Sequence, residues 1–166
     1  MFDHKWDVRF LELAKHISTW SKDPSRQIGA VAVRNRQVLA TGYNGFPTHI
    51  QDTYERYDDR ETKYELVVHA EMNCIYNAGK NGMSLAGSTM YVYGLPVCHE
   101  CAKGIIQTAV QRVVIEDKKY TDARWINSFG KTLKLFDEAG IICNAIELSS
   151  SVDDAPHSNR QLDLGI

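Results

Sequence analysis

Apolar residues recur along the chain with two different periods, and their alternation predicts the order of its elements. Trp6, Phe10, Leu13, Ala14, Ile17 and Trp20 fall at three- and four-residue steps, which predicts an amphipathic helix closed by Lys22-Asp23-Pro24. Ile28-Gly29-Ala30-Val31-Ala32-Val33 scarcely alternates, as expected of a strand buried on both faces, and polar Arg34-Asn35-Arg36 turns it into a second strand at Val38-Leu39-Ala40. A helix is predicted from Val68 or His69 to Ala78, stopped by Gly79. A strand Thr89–Tyr93, a helix from about His99 to Ala109 and a strand from Arg112 to Ile115 then make a β-α-β unit. The stripe Trp125, Phe129, Leu133 and Phe136 ends at Gly140 and leads into a fifth strand from Ile141 to Ile146.

A strand pair followed by alternating helices and strands predicts an α/β fold, a three-layer α/β/α sandwich over a mixed five-stranded sheet. Residues 1–148 carry that pattern and form one expected domain, whereas the Ser- and Asp-rich stretch 149–166 reads as a polar tail, disordered or pinned to a partner. Two stretches within the domain follow neither period. Gly42-Tyr43-Asn44-Gly45-Phe46-Pro47 reads as a sharp loop after the second strand: an ordinary turn, or a place where backbone approaches a ligand and Asn44 offers both a donor and an acceptor. Residues 48–67 mix both signs of charge with Tyr54, Tyr57 and Tyr64, which predicts a solvated, partly helical excursion ordered against the body or a neighbouring subunit.

Composition then narrows the function classes. With 166 residues, 43% of them hydrophobic, the chain holds enough apolar material for one core. A formal charge of -2 and no evident basic patch disfavour a nucleic-acid polymer and favour a small-molecule substrate. No apolar run nears the ~20 residues that span a bilayer, and Asp3, Lys5, Asp7 and Arg9 interrupt any leader-like start. Four cysteines without a secretory signal read as reduced thiols, so the expected location is cytoplasmic.

The candidate chemistry sits in His69-Ala70-Glu71 and, about thirty residues on, Pro96-Val97-Cys98-His99-Glu100-Cys101. Two thiols in C-x-x-C spacing and one imidazole make three zinc ligands, while Glu71 is left free for proton transfer. Three protein ligands leave a fourth position for water, which zinc acidifies from a pKa of ~15.7 to roughly 7. Both motifs open predicted helices, whose N-terminal partial charge favours thiolates. The rival readings of Cys98 and Cys101 are a redox dithiol, which needs no His69-Ala70-Glu71, and a closed structural zinc corner, which needs a fourth ligand. Cys74 is badly placed for that role, about 140° around the helix from His69 at ~100° per residue. Cys74 and Cys143 read as core residues, His99 as a helix-start residue with an exposed ring.

These motifs resemble the zinc-dependent cytidine and deoxycytidylate deaminase superfamily, whose signature is H-x-E with a distant P-C-x-x-C. Ser21-Lys22-Asp23-Pro24 before Gln27-Ile28-Gly29-Ala30, the segment Gly42 to Pro47, His69-Ala70-Glu71-Met72-Asn73 and Cys98 through Ile106 are similar to its deoxycytidylate branch, over nearly the whole chain to Leu148. The resemblance implies that His69, Cys98 and Cys101 hold one Zn2+ and that Glu71 relays a proton from water to N3 of cytosine and on to the departing amine. The implied reaction turns dCMP into dUMP and ammonia, supplying dUMP for thymidylate synthesis. Asn44 is implied at the sugar and the Ala70 N–H at the pyrimidine carbonyl, with Tyr43, Gly45, Val97 and Tyr120 also at the substrate. Lys80, Asn73, Lys118 and Lys119 are the candidate phosphate or effector contacts. The resemblance also implies a homo-oligomer, a hexamer, activated by dCTP and inhibited by dTTP.

The chain departs from the family pattern twice. Val97 intervenes between the usual proline and the first cysteine, and His49 stands where some members carry cysteines for a second zinc, so one zinc is expected. Alternative readings are a deaminase of dCTP, of cytidine or of tRNA adenosine, and a catalytically silent zinc-binding module. Glu71 argues against the last, and the missing basic signal against tRNA.

Overall fold

A computed structural model describes residues 3–148 and the backbone of 160–161. The chain runs α1 (His4–Ser18), β1 (Gly29–Arg34), β2 (Gln37–Tyr43), α2 (Tyr54–Asp58), α3 (Arg60–Leu66), α4 (Ala70–Lys80), β3 (Thr89–Tyr93), α5 (His99–Gln107), β4 (Arg112–Glu116), α6 (Ala123–Ala139), β5 (Ile142–Ile146) and β6 (Arg160–Gln161). One mixed sheet orders the strands β2-β1-β3-β4-β5-β6. β1 is antiparallel to β2 and β3, and β3, β4 and β5 are parallel. The five strands of the hydrophobic pattern are all present, and the tail adds β6, antiparallel to β5. The rest of the expected tail, 149–159 and 162–166, lies outside the described residues.

Helix α1 covers one face, where Phe10, Leu11, Ala14 and Ile17 pack on Val31, Val33, Tyr91 and Val114. It stops at Ser18 rather than at Lys22, because the Thr19 hydroxyl bonds back to the His16 carbonyl at 2.7 Å. Trp20 is thereby left outside the helix and half exposed. The other face is covered by α4, α5 and α6 over Ala30, Ala32, Met90, Val92, Val113 and Ala145. With helices on both sides β1 is buried throughout its length apart from Arg34, which is why it does not alternate.

The α1 face also buries charge. Arg112 on β4 grips Asp7 of α1 with two bonds of 2.7 and 2.8 Å, and its Nε donates to Asn144 Oδ1 at 2.7 Å. The Tyr91 hydroxyl completes the group by donating to Asp7 at 2.8 Å.

Gly42 and Tyr43 belong to β2, not to the loop the sequence suggests. The backbone approached at Gly42 is that of α4: a Cβ there would stand 2.3 Å from the Cys74 N and 2.4 Å from the Ala70 O. Asn73 and Asn77, one turn apart on α4, donate to the Tyr43 and Thr41 carbonyls of β2 at 2.8 and 2.9 Å. Helix α4 passes through Gly79 to Lys80, and the left-handed residue that follows is Gly82, with φ 64°. Gly42→Ala must therefore lift the helix that carries Glu71. Overpacking of this kind costs about 1–3 kcal/mol, or roughly 2–12 °C of melting temperature for a chain of this size. Thermal denaturation alongside ammonia release should show both falling, and an unchanged melting temperature would remove the close approach as the reason for glycine.

Candidate functional site

Two loops leave the sheet at one end and start helices there. After β2, Gly45 pairs with Val68 through two backbone bonds of 3.1 and 2.8 Å, which sets the next residue, His69, at the N-cap of α4. After β3, Gly94 turns with φ 107° and Leu95-Pro96-Val97 leads to Cys98, the N-cap of α5. His69 caps no N–H with its side chain, and its imidazole lies instead with Nδ1 at 3.4 Å from Cys98 Sγ and 3.3 Å from Cys101 Sγ. All three donor atoms lie within 4.8 Å of one another, the one such group among the described residues.

The donors fit zinc. Tetrahedral bonds of about 2.3 Å to sulfur and 2.0–2.1 Å to nitrogen separate ligand N and S by roughly 3.5 Å, close to the spacing found. Without the ion the shell shares protons unevenly. Hydrogen bonds from Cys101 and His69 pull the Cys98 thiol down to about 4, whereas Cys98 and burial push Cys101 well up. His69 is raised to about 9 by its bond to Cys98. The Cys98 sulfur also accepts the Cys101 N–H at 3.4 Å, so the start of α5 favours a thiolate. Glu71 is 4% exposed, and burial pushes its carboxyl up to about 7 although His69 pulls the other way. A carboxyl near neutrality suits a group that must both take and give a proton.

A cleft of about 550 Å3, open mouth included, leads to this cluster. His69, Ala70, Glu71 and Cys98 share its lining with Asp23, Arg26, Ile28, Asn44, Lys63, Tyr64, Leu95, Pro96 and Trp125. Of the substrate residues expected from the sequence, Asn44 and Ala70 are on this lining. Asn44 Oδ1 accepts the Ile28 N–H at 2.8 Å and its Nδ2 donates to the Arg26 carbonyl at 2.8 Å and to Asp23 at 3.4 Å, which leaves one lone pair of Oδ1 for a ligand.

The other expected residues sit elsewhere. Tyr43 stands half exposed against Trp20, and Gly45 is used in the bridge to Val68. The Val97 carbonyl is taken by the Thr132 hydroxyl at 2.9 Å. Tyr120 lines a neighbouring apolar pocket with Pro96, Trp125, Phe129 and Leu133, its hydroxyl buried and without a partner among the described residues. Asn73 is committed to Tyr43, and Lys118 and Lys119 are solvent-exposed. Lys80 ends the eleven-residue α4 that His69 begins, about 15 Å away at 1.5 Å per residue.

Sequence reading passed over Arg26, Lys63, Tyr64 and Trp125. Lys63 reaches from α3 to Asp23 at 2.8 Å and Ser25 at 2.5 Å. Burial pushes the Asp23 carboxyl up, but hydrogen bonds from Lys63, Ser25 and Arg26 outweigh it and hold the group below its usual value. Arg26 and Lys63 lay inside stretches whose charges and motif were already conspicuous, yet only the fold turns them toward one cleft.

A three-donor shell beside a proton-carrying acid makes zinc a catalyst rather than a brace, and places the chain among zinc-dependent hydrolytic enzymes. A family model for the cytidine and deoxycytidylate deaminase zinc-binding region matches residues 4–117. The deoxycytidylate deaminase of Homo sapiens is 38% identical over 125 residues, 72% of this chain and 68% of that protein. That of Pongo abelii is 36% identical over 143 residues, 82% and 77% of the two. The dCMP deaminase of the cyanophage S-TIM5, solved in complex with dCMP and dUMP, matches in fold with a TM-score of 0.71 at 20% identity, covering 88% of this chain and all of that one. The chain belongs to the cytidine and deoxycytidylate deaminase family, as a zinc-dependent hydrolytic deaminase with one Zn2+ per chain.

Proposed function

We propose that the protein deaminates dCMP to dUMP and ammonia, supplying dUMP for thymidylate synthesis. The observation that carries this reading is the pairing, within one cleft, of Glu71 and the metal donors His69 and Cys98 with the cations Arg26 and Lys63. Zinc, held by His69, Cys98 and Cys101, supplies a water acidified enough to act as nucleophile at neutral pH. Glu71 would carry two protons, one from the water to N3 as the water oxygen bonds to C4, and a second from the resulting C4 hydroxyl to the amine as the C4–N bond breaks and ammonia leaves. The Ala70 N–H meets the pyrimidine carbonyl, and the remaining Asn44 lone pair accepts a sugar hydroxyl. Arg26, exposed at the cleft, and Lys63 receive the phosphate.

Charge-assisted hydrogen bonds contribute roughly 1.5–3 kcal/mol each. Two of them give dCMP about two to four decades over deoxycytidine in kcat/KM at 1.4 kcal/mol per decade. Ammonia release measured across dCMP, dCTP, CMP, cytidine and deoxycytidine tests the reading, and equal kcat/KM for dCMP and deoxycytidine would replace it with a nucleoside deaminase. The family likeness supports a homo-oligomer, a hexamer, activated by dCTP and inhibited by dTTP; adding either to the same assay should move the dCMP saturation curve in opposite directions. A cytoplasmic location is supported by the four free thiols. No helix among the described residues is long and apolar enough to cross a membrane.

A further inference from the structure

The residue pair that flanks Cys98 is held from outside its own loop. Thr132 and Ser128 lie one turn apart on α6, on the face that packs against α5. The Thr132 hydroxyl, on a side chain with no exposed surface, donates to the Val97 carbonyl at 2.9 Å. The Ser128 oxygen accepts the His99 N–H at 3.2 Å and pairs with His99 Nδ1 at 2.9 Å. These are the two peptide groups on either side of the metal-binding cysteine. The first N–H groups of a helix find no acceptor within it, and here the capping side chain, Cys98, is turned to Cys101 and His69. A hydroxyl from another helix meets the His99 N–H instead.

We infer that Thr132 and Ser128 are positioning residues for the zinc shell, and that Thr132 absorbs the extra residue between Pro96 and Cys98. Val97 is fully buried, and its carbonyl, which would otherwise be left without a donor in the core, is turned toward α6 by this one hydroxyl. The backbone of Cys98 then enters α5 at the angle that brings its sulfur to His69. The inference rests on the zinc assignment and adds to it two residues that never touch the ion.

Zinc and cobalt affinity of the purified full chain, measured against a chelating indicator, tests this together with the cobalt spectrum. Removal of a group that orients a metal ligand ordinarily costs 10–100-fold in metal affinity, so Thr132→Val should weaken zinc by roughly tenfold and alter the cobalt bands, while Thr132→Ser stays within about twofold of the parent. Tyr91→Phe, which deletes a buried hydrogen bond on the opposite face of the sheet, should lower the melting temperature and leave both metal readouts in place. Parental affinity and spectrum for Thr132→Val, or an equal loss for Tyr91→Phe, would overturn the inference. If Thr132→Val fails to fold, Ser128→Ala decides by the same two readouts. A parent protein that binds no zinc would overturn the inference and the zinc assignment together.

Discussion

Glu71→Gln yields a folded, zinc-loaded protein that no longer releases ammonia at a measurable rate. The amide keeps the shape of the side chain in a position that is almost wholly buried, so packing around Ala70 and Cys74 is undisturbed. The three metal donors, His69, Cys98 and Cys101, are all kept. What it removes is the one group at the cleft floor that can accept a proton and return it, a role worth typically 10²–10⁴-fold. Metal analysis and circular dichroism of the variant establish that fold and zinc remain, and ammonia release gives the effect on kcat. Substantial turnover by a zinc-loaded Glu71→Gln would mean that another group carries the protons.

Asp7→Asn is expected to have the largest effect on stability. Arg112 and Asp7 are both nearly inaccessible, and two of the guanidinium's bonds end on that carboxylate. Asparagine keeps the volume and discards the charge, and removing one partner of a buried ion pair costs about 3–5 kcal/mol. For a chain of this size that is a fall of roughly 6–20 °C in melting temperature. The double variant Asp7→Leu with Arg112→Met, which removes both charges, should recover a large part of the loss, because the cost lies in the stranded charge rather than in the missing bond. Melting curves of the single and double variants separate the two, and a double variant no more stable than the single would show that the hydrogen bonds themselves carry the stability.

The elements with long apolar periods were legible in the sequence because burial enforces the period: β1 between two layers, α1 against Val31 and Tyr91, α6 with its stripe from Trp125 to Phe136. The zinc ligands were legible for another reason. His69 and Cys98 each stand at the N-cap of a helix, and Cys101 lies one turn on from Cys98, so local spacing already contains much of their geometry. Helix ends were harder, as at the C-caps Thr19 and Asn81. The 48–67 excursion resolves into α2 and α3, started by Thr53 and Asp59, whose side chains accept from Arg56 N and Glu61 N. Those two residue types are ordinary N-caps and could have located both helices. Asn44 and Ala70 aside, the cleft walls were not legible. Lys63 meets Asp23 across forty residues, and Trp125 arrives from α6, so no pattern in either neighbourhood announces the meeting. Lys80, a phosphate or effector candidate in the sequence, stands at the far end of the helix that begins at the metal cluster.

The two asparagines of α4 have a consequence for how copies of the chain meet one another. β2 is the outer strand on one side of the sheet, and Asn73 and Asn77 occupy carbonyls that an incoming strand would otherwise take. On the other side β6 is already paired with β5. Unpaired strand rims are the usual templates for chain-to-chain polymerisation, and the Asn73 and Asn77 bonds take up two acceptors on the β2 rim. The protection on the β2 rim exists only once α4 has docked on Gly42.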